Sequence, residues 1–139
     1  MGKNVLTDDE EIKQLMASAK KIAVVGLSKD PSKDSYRVAK YLQDQGYKII
    51  PVNPTISEVL GEKAYPSLKE VPGPVDIVDV FRRPEDVPPI VEAAAGIKAG
   101  ALWMQLGIVN EDAAKTAAGA GMKVVMDRCL KVEHGRLMG

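Results

Sequence analysis

The sequence predicts an α/β protein with a doubly wound parallel sheet of five or six strands and helices on both faces. Two observations carry this prediction. Short, continuous apolar runs recur along the 139 residues, as expected for strands buried on both faces of a parallel sheet. Helix-like stretches alternate with these runs, which indicates parallel strands joined by crossover helices. At this length we expect one domain, residues 1–139.

The first half of the chain is predicted to hold two strands and two helices. A helix over LTDDEEIKQLMASA has Thr7 as its expected N-cap. The strand KKIAVVG follows, and then the helix SYRVAKYLQDQG, which ends at Gly46. Pro54 stops the next strand, YKIIPVNP. The less regular segment after it is expected to hold a short strand near EKAY and a short helix near SLKEV.

The second half repeats the alternation more clearly. VDIVDVF is a strand, and the helix RPEDVPPIVEAAAGIKAG has Pro84 near its first turn. GALWMQ is the next strand, followed by the helix NEDAAKTAAGAG with Asn110 as its N-cap. MKVVMD is the last strand, and the tail RCLKVEHGRLMG is predicted to be a short helix that frays.

The composition disfavours several classes of function. Nineteen basic residues balance nineteen acidic ones, whereas a nucleic-acid or membrane-surface binder would need a positive excess. A single cysteine, Cys129, rules out an intramolecular disulfide and fits a reducing cytosol. No apolar run approaches the roughly 20 residues of a membrane span, so we expect a cytoplasmic protein. A protein partner or a homo-oligomer remains open.

The loop after the first strand, VVGLSKDPSKDS, is the first candidate site, because doubly wound sheets bind ligands at the carboxyl ends of their strands. Gly26, Leu27 and Ser28 turn the chain toward a helix whose first N–H groups are able to take a phosphate. Ser35 adds a hydroxyl and Lys29 adds charge. The alternative is a solvated loop in which Asp34 or Ser35 merely caps the helix.

The loop lacks the second and third glycines of the dinucleotide fingerprint, because residues 28 and 31 are Ser and Pro. Val52, Asn53 and Pro54 end the second strand without the acidic residue that grips the ribose of NAD. Both departures disfavour NAD. The remaining strand ends carry Phe81–Arg82–Arg83, a phosphate-friendly pair of arginines, and Trp103–Met104–Gln105, whose aromatic ring is a candidate pocket wall.

Together these strand-end motifs resemble a known family. VVGLSKDPSKDSYRVAKYLQDQGYKIIPVNP, VDIVDVFRRPEDVP, ALWMQLGIVNEDA and VVMDRCLKVEH look like the small bacterial and archaeal CoA-binding proteins of the YccU type. These are stand-alone Rossmann-like domains that are similar to the N-terminal domain of the succinyl-CoA synthetase α subunit. The resemblance covers about residues 8–134.

The resemblance implies a site for coenzyme A or an acyl-CoA. The loop from Gly26 to Ser35 would hold the phosphates, and Val52–Asn53–Pro54 would flank the adenosine. Phe81–Arg82–Arg83 and Trp103–Met104–Gln105 would line the groove toward the pantetheine arm. Ser35, Tyr36 and Arg37 also match the family pattern. Candidates for the 3′-phosphate contact are Lys29, Arg37, Arg82 and Arg83.

The function predicted from these features is CoA or acyl-CoA binding without catalysis by the chain itself. No convincing acid–base pair stands at a strand end, since Asp76 and Asp79 lie within a strand and Asp127 is expected to pair with Arg128. His134 is expected to be a surface or packing residue rather than a phosphorylated one. Two alternatives remain, an NAD(P)-dependent oxidoreductase or other nucleotide-using enzyme on the same fold, and a redox regulatory module acting through Cys129. No metal site is predicted.

Overall fold

The computed structural model describes residues 4–138, so the first three residues and the last residue of the predicted domain lie outside the described part. Its centre is a five-stranded sheet, which confirms the predicted Rossmann-like α/β fold class. The strands, all parallel, are β1 (Lys21–Val25), β2 (Lys48–Val52), β5 (Ile77–Val80), β6 (Ala101–Met104) and β7 (Lys123–Val125).

Five helices connect or flank these strands: α1 (Asp9–Ser18), α2 (Asp34–Asp44), α3 (Val87–Gly96), α4 (Glu111–Gly119) and α5 (Leu130–Met138). The irregular segment forms a small antiparallel hairpin, β3 (Glu58–Val59) and β4 (Glu62–Lys63), and a 3-10 turn at Leu68–Glu70. The predicted strand near EKAY and helix near SLKEV are these short elements. No helix within residues 4–138 has the length and apolar content needed to cross a bilayer.

Alternate side chains of each strand enter two separate cores. Ala23 and Val25 of β1 pack with α3 and α4 on one face of the sheet. Ile22 and Val24 pack with α1, α2 and α5 on the other face. Because successive strand residues point to opposite faces, one short apolar run serves both cores. The predicted helices on both faces are therefore confirmed.

Three helix starts differ from the prediction in detail. Asp8, rather than Thr7, is the N-cap of α1, and its carboxylate accepts a hydrogen bond from the Glu10 N–H at 2.7 Å. Lys33 is the N-cap of α2 and makes no side-chain cap, so neither Asp34 nor Ser35 caps that helix. Pro84 begins a 3-10 turn, Pro84–Asp86, and α3 follows that turn.

Two other features of the helices agree with the sequence. Asn110 is the N-cap of α4, and its side-chain oxygen accepts a hydrogen bond from the Ala113 N–H at 3.0 Å. The tail is helical as predicted, over α5 up to Met138, whereas the fraying of this helix stays a prediction.

The sheet order, β2-β1-β5-β6-β7, places the change of direction between β1 and β5. After β1 the chain moves to one side to form β2, and it then crosses back to form β5 and the strands beyond. Helices that leave β1 and β5 lie on opposite faces, which opens a crevice at the carboxyl ends of these two strands. This crevice is where a ligand is expected.

Candidate ligand site

Gly26 lies at the base of the crevice, where three strand ends meet. Its φ angle is +90°, and its N–H donates to the Val52 carbonyl oxygen at 2.9 Å. The Phe81 N–H donates to the Val25 carbonyl at 2.9 Å. A Cβ atom at residue 26 would stand 2.5 Å from the carbonyl oxygen of Phe81. Only glycine satisfies both the backbone angle and this close approach.

The loop that follows Gly26 is ordered by its own hydrogen bonds. The buried Ser35 hydroxyl accepts from the Ser28 N–H at 3.0 Å, and the Ser28 hydroxyl accepts from the Asp30 N–H at 3.0 Å. The backbone N–H and hydroxyl of Ser32 both donate to the Asp30 carboxylate, which lowers the pKa of Asp30. Ser35 therefore shapes the loop from inside.

Asn53 ties the end of β2 to the same loop. Its Nδ2 donates to the Leu27 carbonyl oxygen at 3.0 Å, and its Oδ1 accepts from the N–H and the hydroxyl of Thr55. The side chain of Leu27 is fully buried. A neutral amide is needed here because it both donates and accepts, which a carboxylate cannot do. Asn53 and Leu27 thus position the loop.

An open groove at this edge of the sheet, here the main groove, has a volume of about 810 Å³. Its walls come from the start of α2, the ends of β5 and β6, and the start of α5. Four cationic side chains face two carboxylates in it, which leaves a local excess of positive charge suited to an anionic ligand. Its lining residues are Asp34, Arg37, Val38, Phe81, Arg82, Arg83, Asp86, Gln105, Leu106, Ile108, Cys129, Lys131 and Val132.

The second groove, here the side groove, has a volume of about 480 Å³ and lies between the ends of β1 and β2 and the helix α3. Its walls are mostly apolar, and its exposed ring at Pro54 is flat. Arg82 and Asp86 line both grooves, so they form a common wall between them. The lining residues are Val25, Val52, Pro54, Pro66, Ser67, Leu68, Lys69, Arg82, Asp86, Pro89, Ile90 and Ala93.

The arginines of the main groove differ in their availability. Arg37 pairs with Asp34, and the Arg83 Nε lies 3.3 Å from a carboxylate oxygen of Asp86. Arg82 is half-buried and has no ion-pair partner among residues 4–138. Its Nε stands 3.4 Å from the position of a Cβ atom at Gly26. Arg82 is therefore the cation best placed to meet a ligand at the crevice.

Two residues at the end of β6 hold the start of α5. The Trp103 indole N–H donates to the Arg128 carbonyl at 2.8 Å, and the Gln105 Oε1 accepts from the Leu130 N–H at 3.0 Å. Gln105 lines the main groove, whereas Trp103 is fully buried on the α1, α2 and α5 face. The expected aromatic wall at Trp103 is therefore wrong, because its ring faces inward and helps to support the segment that forms the groove wall.

The acidic partner expected for Arg128 is also different. Asp127 accepts from the Gly107 N–H at 2.7 Å, and Arg128 instead pairs with Glu133 at 2.8 Å. Arg136 joins Glu133 and Asp9 in the same cluster and, with Arg128, lowers the pKa of Glu133. These ion pairs connect α5 to α1.

Two buried titratable groups lie away from both grooves. Asp79, inside β5, has both carboxylate oxygens buried with no hydrogen-bond partner among the described residues, and burial raises the pKa of Asp79 well above its ordinary value. His134 is buried against Tyr41 and Tyr47, with its Nδ1 at 2.9 Å from the Tyr41 hydroxyl. Burial lowers the pKa of His134. His134 is a packing residue, as expected.

The structure sorts the predicted site residues into two groups. The residues that line a groove are Arg37, Val52, Pro54, Phe81, Arg82, Arg83 and Gln105. The residues that line neither groove are Gly26, Leu27, Ser28, Lys29, Ser35, Tyr36, Asn53 and Trp103. Several of the second group shape the loop or the strand ends instead.

The sequence reasoning missed the contribution of α5 and of the segment after β6. Leu106, Ile108, Lys131 and Val132 all line the main groove. Cys129, considered only for its redox chemistry, lies in the same wall. Leu106 and Ile108 follow a predicted strand end, so their position was a usable signal. The α5 residues carried no comparable signal.

The doubly wound sheet with a basic groove at the β1–β5 crevice defines an α/β domain whose open groove lies at the carboxyl ends of its strands. Residues 20–135 match the family described as CoA binding domain, and the chain belongs to this family. It is 52% identical over 124 residues to the uncharacterized protein YneT of Bacillus subtilis (strain 168), covering 89% of this chain and 92% of the relative.

The chain is also similar to part of a larger protein. It is 54% identical over 57 residues to the acetate–CoA ligase (ADP-forming) II subunit alpha of Pyrococcus furiosus, a match over 40% of this chain and 12% of that subunit.

A solved structure, a hypothetical protein from Pyrococcus horikoshii OT3, superposes with a TM-score of 0.92 at 41% identity, covering 100% of this chain and 97% of that one.

Proposed function

We propose that the chain binds coenzyme A or a CoA thioester along the carboxyl ends of β1, β5 and β6, and that it does so without catalysis of its own. The observation that carries this proposal is the position of Arg82, half-buried, without an ion-pair partner among the described residues, and shared by the two grooves. A ligand with phosphates near its middle and an organic group at each end matches that arrangement.

The two grooves supply sites for the two ends of CoA. The side groove, with its apolar walls and the exposed Pro54, would take the adenosine. The diphosphate would lie at Gly26, over which the Arg82 guanidinium stands. The pantetheine arm would run along the main groove past Phe81 and Gln105. The neutral Asn53 presents no negative charge to repel the 3′-phosphate.

The placement of the titratable groups supports binding rather than catalysis. Asp79 and His134 are buried groups whose pKa burial shifts, and both lie in the core on the α5 face rather than in a groove. The relatives that carry the name acetate–CoA ligase are much longer, since the chain spans 12–14% of their length. A ligase activity therefore does not transfer to this chain from that likeness.

Thermal unfolding in the presence of CoA, 3′-dephospho-CoA, NAD and NADP tests the proposal. At about 100 times its Kd, CoA should stabilise the fold by roughly 2.7 kcal/mol, which raises Tm by several degrees. NAD should give no shift. A rise in Tm with NAD and none with CoA would refute the proposal. Equal rises with CoA and 3′-dephospho-CoA would refute only the contact to the 3′-phosphate and leave the CoA site itself supported.

A matched pair of variants tests the role of Arg82. Replacing one charge-assisted contact should cost about 1.5–3 kcal/mol, so Arg82→Gln should weaken CoA binding by roughly ten- to a hundredfold. Arg83→Gln removes the same charge from an exposed neighbour that already pairs with Asp86, and it should weaken binding much less. Equal losses in the two variants would indicate a diffuse electrostatic attraction rather than a contact at Arg82.

A further inference from the structure

Two large apolar side chains are unusually exposed at the β6 and β7 end of the main groove. Leu106 and Val132 have 69% and 58% of their surface accessible to solvent. Both line the main groove and also an adjoining cavity of about 540 Å³, so they stand at the junction of the two spaces. Ile108 extends this set inside the main groove. Exposed apolar residues grouped at a groove, rather than scattered singly, mark a surface that is covered in function.

The main groove changes character along its length. Arg37 and Arg82 stand at the α2 and β5 end, whereas Leu106, Ile108 and Val132 stand at the β6 and α5 end. Neighbouring strands lie about 4.8 Å apart, so two to three strand spacings, or about 10–14 Å, separate β1 from β6 and β7. A ligand that follows the groove meets the two arginines first and the apolar side chains last, where Lys131 of α5 is the one cation among the described residues of the groove lining.

The pantetheine arm has the length to connect these two ends. It contains about as many backbone bonds as four extended residues, and it therefore spans about 14 Å. With its diphosphate at Arg82, the sulfur of CoA would reach the end of the groove where Leu106, Cys129 and Val132 stand. Whatever is attached to the sulfur would lie on the apolar side chains.

We propose that the ligand is a CoA thioester of an apolar acyl group, with the acyl chain lying on Leu106, Ile108 and Val132. This inference rests on the proposed CoA-binding function and specifies its ligand class. Free CoA would leave Leu106 and Val132 facing water, and an acyl chain would cover them together with the half-buried Ile108.

The charges near this apolar set disfavour an acyl group that ends in a carboxylate. Lys131, the cation at this end of the main groove, has its Nζ 5.7 Å from the ring centroid of Tyr41, which does not line the groove. The arginines of the adjoining cavity, Arg128 and Arg136, are already paired with Glu133, and Arg136 also pairs with Asp9. The terminal carboxylate of such an acyl group would therefore find no unpaired cation among the described residues that line this cavity.

Isothermal titration with CoA, acetyl-CoA, butyryl-CoA and hexanoyl-CoA tests the inference. Each methylene that is buried should lower Kd by about two- to fourfold, so hexanoyl-CoA should bind much more tightly than CoA. Succinyl-CoA should bind no better than acetyl-CoA. If CoA itself does not bind, the proposed function fails. If CoA binds but Kd is flat or rises with chain length, only the acyl inference fails.

A pair of variants locates the acyl contact. Leu106→Ser should abolish most of the gain with chain length, measured as the ratio of the Kd for hexanoyl-CoA to the Kd for free CoA in each protein. Val109→Ser is the matched control, because Val109 is 42% exposed in the same segment but lines neither the main groove nor the adjoining cavity. An unchanged chain-length response in Leu106→Ser, or a dimer that this variant dissociates without altering acyl binding, would overturn the inference.

Discussion

The carbonyl oxygen of Phe81 occupies the space that a side chain at residue 26 would need, 2.5 Å from the position of its Cβ atom. This contact joins the ends of β1 and β5, the two strands between which the sheet changes direction. The backbone of Gly26 can therefore lie close to the β5 end, and the Arg82 side chain can extend over it. The geometry of the crevice thus depends on the absence of one methyl group.

Gly26→Ala should destabilise the fold by about 2 kcal/mol or more, because it combines a positive φ angle with a backbone clash. Gly119→Ala is the control, since a Cβ atom there meets nothing within 4 Å at the end of α4, and it should be neutral or stabilising by about 0.5–1 kcal/mol. Urea unfolding measures both. A Gly26→Ala protein as stable as the parent would show that the backbone at the end of β5 can shift to accommodate the added methyl group at little cost in free energy.

Cys129 offers a direct probe of the main groove, because it is the only cysteine in the chain and lies in the groove wall. Saturating acetyl-CoA should slow alkylation of Cys129 by N-ethylmaleimide at least about tenfold, since a bound pantetheine arm would cover the thiol. Acetyl-CoA is used because its sulfur cannot consume the reagent. Intact-mass measurements give the rate, and NAD serves as the control. Equal rates with and without acetyl-CoA would place the arm elsewhere.

The buried carboxyl of Asp79 should make the fold less stable as the pH rises from about 4. The unfolded chain gives up this proton near its ordinary pKa, whereas burial raises the pKa of Asp79 in the fold, so the folded state keeps the proton. Asp79→Val should remove this pH dependence and stabilise the fold at pH 7 by about 1–3 kcal/mol, because no unsatisfied polar group remains.

Asp79→Asn separates the two effects in Asp79→Val, because it removes the titration but keeps a buried polar group. It should flatten the pH dependence with a smaller gain in stability. Urea unfolding at pH 4.5 and pH 7 measures both variants. If the free energy of unfolding depends on pH in the same way in the parent and in both variants, Asp79 has a hydrogen-bonding or ionic partner in solution.

His134 should act in the opposite sense at lower pH. Burial lowers the pKa of His134, so the fold prefers the neutral ring that meets the Tyr41 hydroxyl. As the pH falls through about 6.5, the unfolded chain takes up a proton that the fold resists, and stability declines. His134→Gln keeps a hydrogen-bonding group without the titration, and it should lose less stability between pH 7.5 and pH 5.5. The same loss in both proteins would contradict this assignment.

The sequence predicted the features that depend on local pattern. The apolar runs located all five strands of the main sheet, and the residues just after them included Pro54, Arg82 and Gln105, which line a groove. These positions follow from chain order, because the carboxyl ends of parallel strands share one edge of a sheet.

The features that the sequence did not reveal depend on contacts between distant residues. The place of α5 in the groove wall is fixed by hydrogen bonds from Trp103 and Gln105, each 25 residues from its partner, and no local pattern records them. Trp103 was expected in the groove because of its residue type, although its register within β6 turns it inward. The sequence also does not reveal that the Ser35 oxygen accepts from the Ser28 N–H, although the Ser35 hydroxyl as a donor to a ligand stays a prediction.

Arg82 and Asp86 form a shared wall between the two grooves, so a ligand that spans this wall, as proposed for CoA, would bind through two linked halves. Each half of such a ligand, adenosine phosphate or pantetheine, would bind weakly when alone. Joined through the diphosphate, the second half binds at a high effective concentration set by the short linker. The two fragments, added together as separate molecules, should therefore fail to reproduce the affinity of the intact ligand. Cleavage of the diphosphate would release both halves, because each half alone would bind weakly.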